Sequence, residues 1–222
     1  MTKQTAETTQ NRAGFRFLFF FLLIYYFVSP FLSPYPSTAI MVHASLSIVL
    51  FISVYAVEKK NNNRSYAMAL MLLVLVLYWF GIYEIIPFGR VGSYILLVLF
   101  FLLLVKSFAM QIVRSEGINV DLLFATLCLY LILGLLWGSL YALHYELDPG
   151  AYAGALLNND TYYPFITFNY FSLVTLTTLG YGDITPQTAG AGALCQMEAI
   201  IGQFYTAVVV AWLVGNFVRK ED

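Results

Sequence analysis

From Phe17 to Val57 the chain carries no Asp, Glu, Lys or Arg. A crossing helix needs about 20 apolar residues, so this stretch holds two spans in succession. The turn between them falls at Ser29–Ser37, where Pro30, Pro34 and Pro36 each remove a backbone donor and disfavour helix in the residue before them. The rest of the chain has the same character: 60% of its 222 residues are hydrophobic and 10% charged, whereas soluble domains are roughly half apolar. Lys3, Arg12 and Arg16 ahead of an apolar run suggest a cleavable leader. No small-x-small site follows, and three prolines do, so the segment reads as a retained first span.

The polar run Glu58-Lys59-Lys60-Asn61-Asn62-Asn63-Arg64 precedes a third span from about Tyr66 to Tyr83. A turn around Pro87-Phe88-Gly89-Arg90 leads into a fourth span from about Ser93 to Val113, and a fifth runs from about Leu122 to Tyr145. After a mixed segment from Glu146 to Gln187, a sixth runs from about Ala189 to Val218. Six spans place both termini on one side. Lys3, Arg12, Arg16, Lys59, Lys60, Arg64, Arg114, Arg219 and Lys220 then all fall on that side, which the positive-inside rule makes cytoplasmic, leaving Arg90 outside and Lys106 within a span. The expected setting is a multi-pass plasma-membrane protein, in a bacterium the inner membrane.

Net charge is -1, which gives no basic footprint for nucleic acid. Cys128 and Cys195 lie in apolar stretches as packing residues, and His43 and His144 stand alone, suited to buried polar contacts rather than metal ligation. No nucleophile-base pair, metal triad or phosphate loop marks an enzyme, and no cofactor is expected. Asn159-Asp160-Thr161 reads as a turn. On the outer side Glu146, Asp148, Asp160 and Asp183 have no Lys or Arg among them between spans five and six. They form either an acidic mouth that concentrates cations or ordinary solvated loop positions.

Between those spans, Pro164 to Thr177 is apolar and aromatic but makes a helix of only about 21 Å, too short to cross. It is expected to enter the membrane and return. Asp160 or Thr161 can accept its first amides, Pro164 suits its first turn, and its C-terminal carbonyls present the negative end of the helix dipole to the interior. Thr178-Leu179-Gly180-Tyr181-Gly182 follows at once. Non-helical backbone at membrane depth is tolerated only inside protein or along a water-filled path. Aiming successive carbonyls to one side needs positive φ, which Gly180 and Gly182 accept without a Cβ penalty. Thr178 adds its hydroxyl at the inner end, and Tyr181 is expected to point away from the path and set its width by packing on aromatic rings of the short helix.

The string Thr175-Leu176-Thr177-Thr178-Leu179-Gly180-Tyr181-Gly182-Asp183 resembles the potassium-channel signature Thr-x-Thr-Thr-x-Gly-Tyr-Gly-Asp, closest to small bacterial potassium channels with six spans. The resemblance covers about Asp121 to Phe217. It implies an all-α membrane protein with a re-entrant pore helix and filter loop between helices five and six, assembling as a homotetramer. Four strips would then replace the hydration shell of K⁺ at Thr178, Leu179, Gly180 and Tyr181 and let the ion pass down its gradient. Leu179 departs from the commoner valine or isoleucine and implies a small packing change with selectivity kept. Thr177, Asp183 and Tyr170 are the filter supports, with Tyr170 expected to hydrogen-bond Asp183. Val174 stands where some members carry a glutamate.

The resemblance also places Gly202 at the family's hinge glycine, with close helix packing as the alternative. Gln203, Thr206, Val210 and Val214 share one face of the last helix. The polar pair is assigned to the cavity and the valines to a hydrophobic gate, with the filter itself as the other gate. Glu198 falls about 140° round the helix from Gln203, behind the filter, and needs a partner. The chain divides into a cytoplasmic tail (1–16), a four-helix transmembrane domain (17–113), a pore domain (121–218) and a short tail (219–222). The four-helix domain lacks the arginine ladder of voltage-gated relatives: only Lys106 is charged between Arg90 and Arg114. Lys106 and Glu84 are expected to snorkel or to pair with each other. Gating is therefore expected in the membrane, in the filter or through a separate regulatory subunit, with lipid and K⁺ as the other partners. The rivals are a weakly selective cation channel and a subunit of a potassium uptake system or a non-conducting regulatory protein.

Overall fold

The computed structural model describes residues 2–32, 39–57, 63–82, 89–115, 120–157 and 164–218. Among these are seven α-helices: α1 (Thr2–Leu32), α2 (Ala39–Ala56), α3 (Asn63–Ile82), α4 (Gly89–Val113), α5 (Val120–Leu147), α6 (Pro164–Leu176) and α7 (Ala189–Val218). Two short strands, β1 (Tyr152–Gly154) and β2 (Ile184–Pro186), flank α6 in sequence. By length and composition, Gly14–Leu32, Gly89–Val113 and Val120–Leu147 can each cross a membrane. Ile40–Ala56, Arg64–Phe80 and Pro164–Leu176 are shorter apolar helices.

The break expected from Ser29 onward begins later, because α1 carries Pro30 inside its last turn. Proline forfeits one helical hydrogen bond while its fixed φ stays helical, and Ser29 Oγ lies 3.1 Å from Ser45 Oγ on α2, which ties the two helix ends together. At the other end α1 begins at Thr2, so the polar segment expected as a tail continues the helix.

Helices α1 to α4 pack each against the next, and both α1 and α4 return to α5. Because α5 also contacts α6 and α7, it is the shared wall between the four-helix unit and the segment carrying the glycine-rich strip. Most of its side chains from Ile132 to Ala142 are buried. Three hydrogen bonds fasten α1 to this wall: Arg16 Nε donates to Asp121 at 2.8 Å, Cys128 Sγ to the Phe15 carbonyl at 3.3 Å, and Tyr26 OH to the Leu131 carbonyl at 2.8 Å. A fourth reaches α6, where Asn169 Nδ2 donates to Tyr25 OH at 2.9 Å. Between α2 and α3, His43 Nδ1 lies 2.7 Å from Tyr78 OH, a buried polar contact as expected. Phe20, Phe27 and Phe31 of α1 are exposed, an apolar face suited to hydrocarbon.

An aromatic cluster holds α6 in place. Tyr141 of α5 packs on Phe171 with ring centroids 4.9 Å apart, and Tyr152 of β1 packs on Phe168 at 5.2 Å. Rings of this size bury large area and favour edge or tilted contacts, so α5, β1 and α6 form one rigid block.

Candidate functional site

The helix expected over Pro164–Thr177 is α6, Pro164–Leu176. Asp160 and Thr161, the expected caps at its start, lie outside the described residues. Its C-terminus is capped by the strip that follows. Thr178 N donates to the Thr175 carbonyl and Leu179 N to the Val174 carbonyl, both at 2.9 Å. Together with φ of +59° at Thr178, these bonds make a Schellman motif, in which a left-handed residue just past the helix lets two amides fold back on its last carbonyls. Glycine usually holds that position. A β-branched residue there costs about 1–2 kcal/mol, which the two capping bonds offset.

Left-handed conformation recurs at Gly180 (φ +60°) and Gly182 (φ +77°), the two glycines singled out for it. The sequence had not marked Thr178 as the third. Positive φ at every second residue turns successive peptide groups the same way, with amides on one side and carbonyls on the other. Residues 177–182 are all exposed, Leu179 at 54% and Tyr181 at 67%. Tyr181 is therefore not covered by its own short helix, whose Phe168 and Phe171 are engaged with Tyr141 and Tyr152.

The last carbonyls of α6 all have donors. Leu173 accepts from Thr177 N at 3.0 Å and Thr177 Oγ1 at 2.6 Å, Val174 accepts additionally from Gly180 N at 3.3 Å, and Leu176 accepts from Tyr130 OH at 3.3 Å. The negative end of α6 thus acts through its field rather than through free ligands.

Beyond the strip, Tyr170 OH donates to Asp183 Oδ2, the bond expected between these residues. Asp183 Oδ1 accepts from Ile184 N at 3.1 Å. Strand β2 then pairs antiparallel with β1 in the register Tyr152↔Pro186, Ala153↔Thr185, Gly154↔Ile184, which fastens the outer end of the strip to the connection after α5. The other acids are occupied locally. Glu146 lies 3.8 Å from Arg90, and Asp148 Oδ1 accepts from Gly150 N at 3.1 Å; Asp160 lies outside the described residues.

On α7, a Cβ built at Gly202 would collide with the carbonyl of Leu176, the last residue of α6; glycine here permits close approach of the two backbones. Gln203 and Thr206 are exposed, and Thr206 Oγ1 donates back to the Gln203 carbonyl at 3.0 Å. For Val210 and Val214 only the helical backbone of α7 is described. Lys106 is exposed, and Glu84 lies outside the described residues. Glu198, whose partner the sequence left open, is fully buried and is hydrogen-bonded to Tyr141 OH of α5 and Ser172 Oγ of α6. The available signal was a lone acid in an apolar helix, which demands donors at its own depth. Nothing in the sequence ranked Tyr141 and Ser172 above other hydroxyls.

Comparison with known proteins agrees with this geometry. A family model described as Ion channel matches residues 125–219, which takes in most of α5 together with α6, the strip and α7. The chain is 30% identical over 74 residues to potassium channel protein kcv of Paramecium bursaria Chlorella virus 1, an alignment covering 32% of this chain and 78% of that protein. No solved structure matches. A capped short helix, a strip left-handed at alternate residues and these two matches converge on one assignment: the chain belongs to the potassium-channel pore family.

Proposed function

We propose that the chain is one subunit of a homotetrameric K⁺-selective channel of the plasma membrane. Four copies of Thr178–Gly182 line a central axis and let K⁺ pass down its gradient. Six helices span, α6 enters and returns, and both termini are cytoplasmic. The observation that carries this is the run of left-handed residues at 178, 180 and 182 within an exposed strip. One strip offers carbonyls on one side only, and a dehydrated cation needs them all round, so fourfold repetition completes the site. The exposure of Tyr181 supports the same assembly, because its ring is free to pack against a neighbouring subunit and brace the ring of carbonyls.

Thr178, Leu179, Gly180 and Tyr181 hold the ion; Thr177, Tyr170 and Asp183 support them. Gln203 and Thr206 face the cavity below the filter, Val210 and Val214 form a hydrophobic constriction nearer the cytoplasm, and Gly202 sets how closely α7 approaches α6. The four-helix unit carries no arginine ladder, so opening is not driven by charge movement in α4. Arg16–Asp121 at one end of α5 and Arg90–Glu146 at the other fit a helix whose two ends both reach the polar boundary of the membrane.

Purified protein in liposomes with a K⁺ gradient tests this directly. K⁺-selective flux blocked by Ba²⁺ is expected, with a chemically cross-linked species at four times the chain mass. Equal Na⁺ and K⁺ flux, or none, refutes it.

A further inference from the structure

Behind the strip, three helices of one chain meet at a short chain of hydrogen bonds. Tyr141 OH of α5 bonds Glu198 Oε2 of α7, Glu198 Oε1 bonds Ser172 Oγ of α6, and Ser172 Oγ lies 2.8 Å from the Gly134 carbonyl of α5. The hydrogens in this chain can be counted. Tyr141 supplies one and Ser172 supplies one, yet three oxygen–oxygen contacts each require one. If Glu198 is ionised, Ser172 serves either the carboxylate or the Gly134 carbonyl, and the other pair of oxygens is left in contact with no hydrogen between them. A protonated Glu198 resolves the conflict. Its Oε1–H donates to Ser172, Ser172 donates to Gly134, and Tyr141 donates to Oε2.

The surroundings agree. Glu198 is fully buried, and an ionised carboxylate there would need a cation. Among the described residues, the titratable groups facing it are Tyr26 of α1, Tyr130 and Tyr141 of α5, Tyr152 of β1 and Cys195 of α7 itself; α6 contributes the hydroxyl of Ser172. All of these are neutral at pH 7 in their ordinary state.

We propose that Glu198 is a positioning residue of the pore that works as a neutral carboxylic acid. It ties α7 to α6, and its ionisation in alkaline solution breaks the tie and lowers K⁺ flux. One turn further along α7, Gly202 presses on the end of α6. The inner helix thus holds the helix beneath the filter at two successive turns, and the acid is the one of the two that a proton controls. The claim rests on the pore assignment for its effect on flux, but not for the protonation state.

Glu198→Gln keeps the geometry, since its amide N–H can donate to Ser172 and its oxygen accept from Tyr141, and it cannot ionise. Two measurements decide. In the infrared difference spectrum of wild type minus Glu198→Gln at neutral pH, a carboxylic-acid C=O band is expected, and a carboxylate band overturns the proposal. This readout needs no conduction, so it separates failure here from failure of the pore assignment. In liposome flux against pH, the wild type is expected to lose flux on alkalinisation and Glu198→Gln to keep a flat profile with unchanged selectivity. The same alkaline loss in both overturns the proposal. If Glu198→Gln does not assemble, Tyr141→Phe reads the same group. Removing a donor to the carboxylate disfavours ionisation, so the wild-type transition should move about one to two pH units upward, and an unmoved transition overturns it.

Discussion

Replacing Gly180 by alanine isolates the conformational requirement of the strip from steric effects. A Cβ at Gly180 meets nothing within 4 Å in its own chain, so the substitution creates no clash there. Its φ of +60° is the left-handed region, which costs an L-residue about 1–2 kcal/mol. In a tetramer whose four strips adopt the conducting conformation together, the cost sums to about 4–8 kcal/mol. At about 1.4 kcal/mol per factor of ten, that lowers the fraction of conducting pores by roughly three to six orders of magnitude. Gly192 is the control: it also meets nothing within 4 Å but lies in the first turn of α7 with helical φ, where alanine is favourable by up to about 1 kcal/mol. K⁺ flux per assembled tetramer in liposomes is the assay. Gly180→Ala should fall at least about a thousandfold, with Gly192→Ala unchanged. Wild-type flux in Gly180→Ala would refute the claim that left-handed backbone at this position is required for conduction.

Tyr170→Phe removes the donor to Asp183 and should cost about 1.5–3 kcal/mol of support at the outer end of the strip, read as faster loss of current during long pulses; unchanged currents count against that role. Gly202→Ala forces α7 away from the Leu176 carbonyl and should reduce tetramer thermal stability by about 1–3 kcal/mol, visible as a lower midpoint in fluorescence-detected gel filtration. Tyr25→Phe strips Asn169 of its bond to α1 and leaves a buried amide less satisfied, at about 1–3 kcal/mol. A shift in the same midpoint with selectivity intact marks α1 as a brace of α6.

Much of this was legible in the sequence. The limits of α6 followed from Pro164 at its start and from the glycine-rich strip that ends its apolar run. The bond from Tyr170 to Asp183 followed from a matched motif. What stayed hidden depends on separation or on context overriding propensity. Thr178 takes a conformation its own side chain disfavours, because two backbone bonds impose it. Glu198 finds hydrogen-bond partners 57 and 26 residues away, and Tyr25 meets Asn169 across 144 residues; no local pattern encodes such pairs. Strands β1 and β2, at three residues each, are too short for an alternating signal.

The ladder between β1 and β2 has a mechanical consequence. The inner end of the strip is stapled to α6 by the capping amides of Thr178 and Leu179, and the outer end is sewn into a two-stranded ladder directly after Asp183. A ribbon clamped at both ends has no slack to slide or swing. Whatever changes its state must do so in place, by turning individual peptide planes between the clamps, as the slats of a blind turn within a fixed frame.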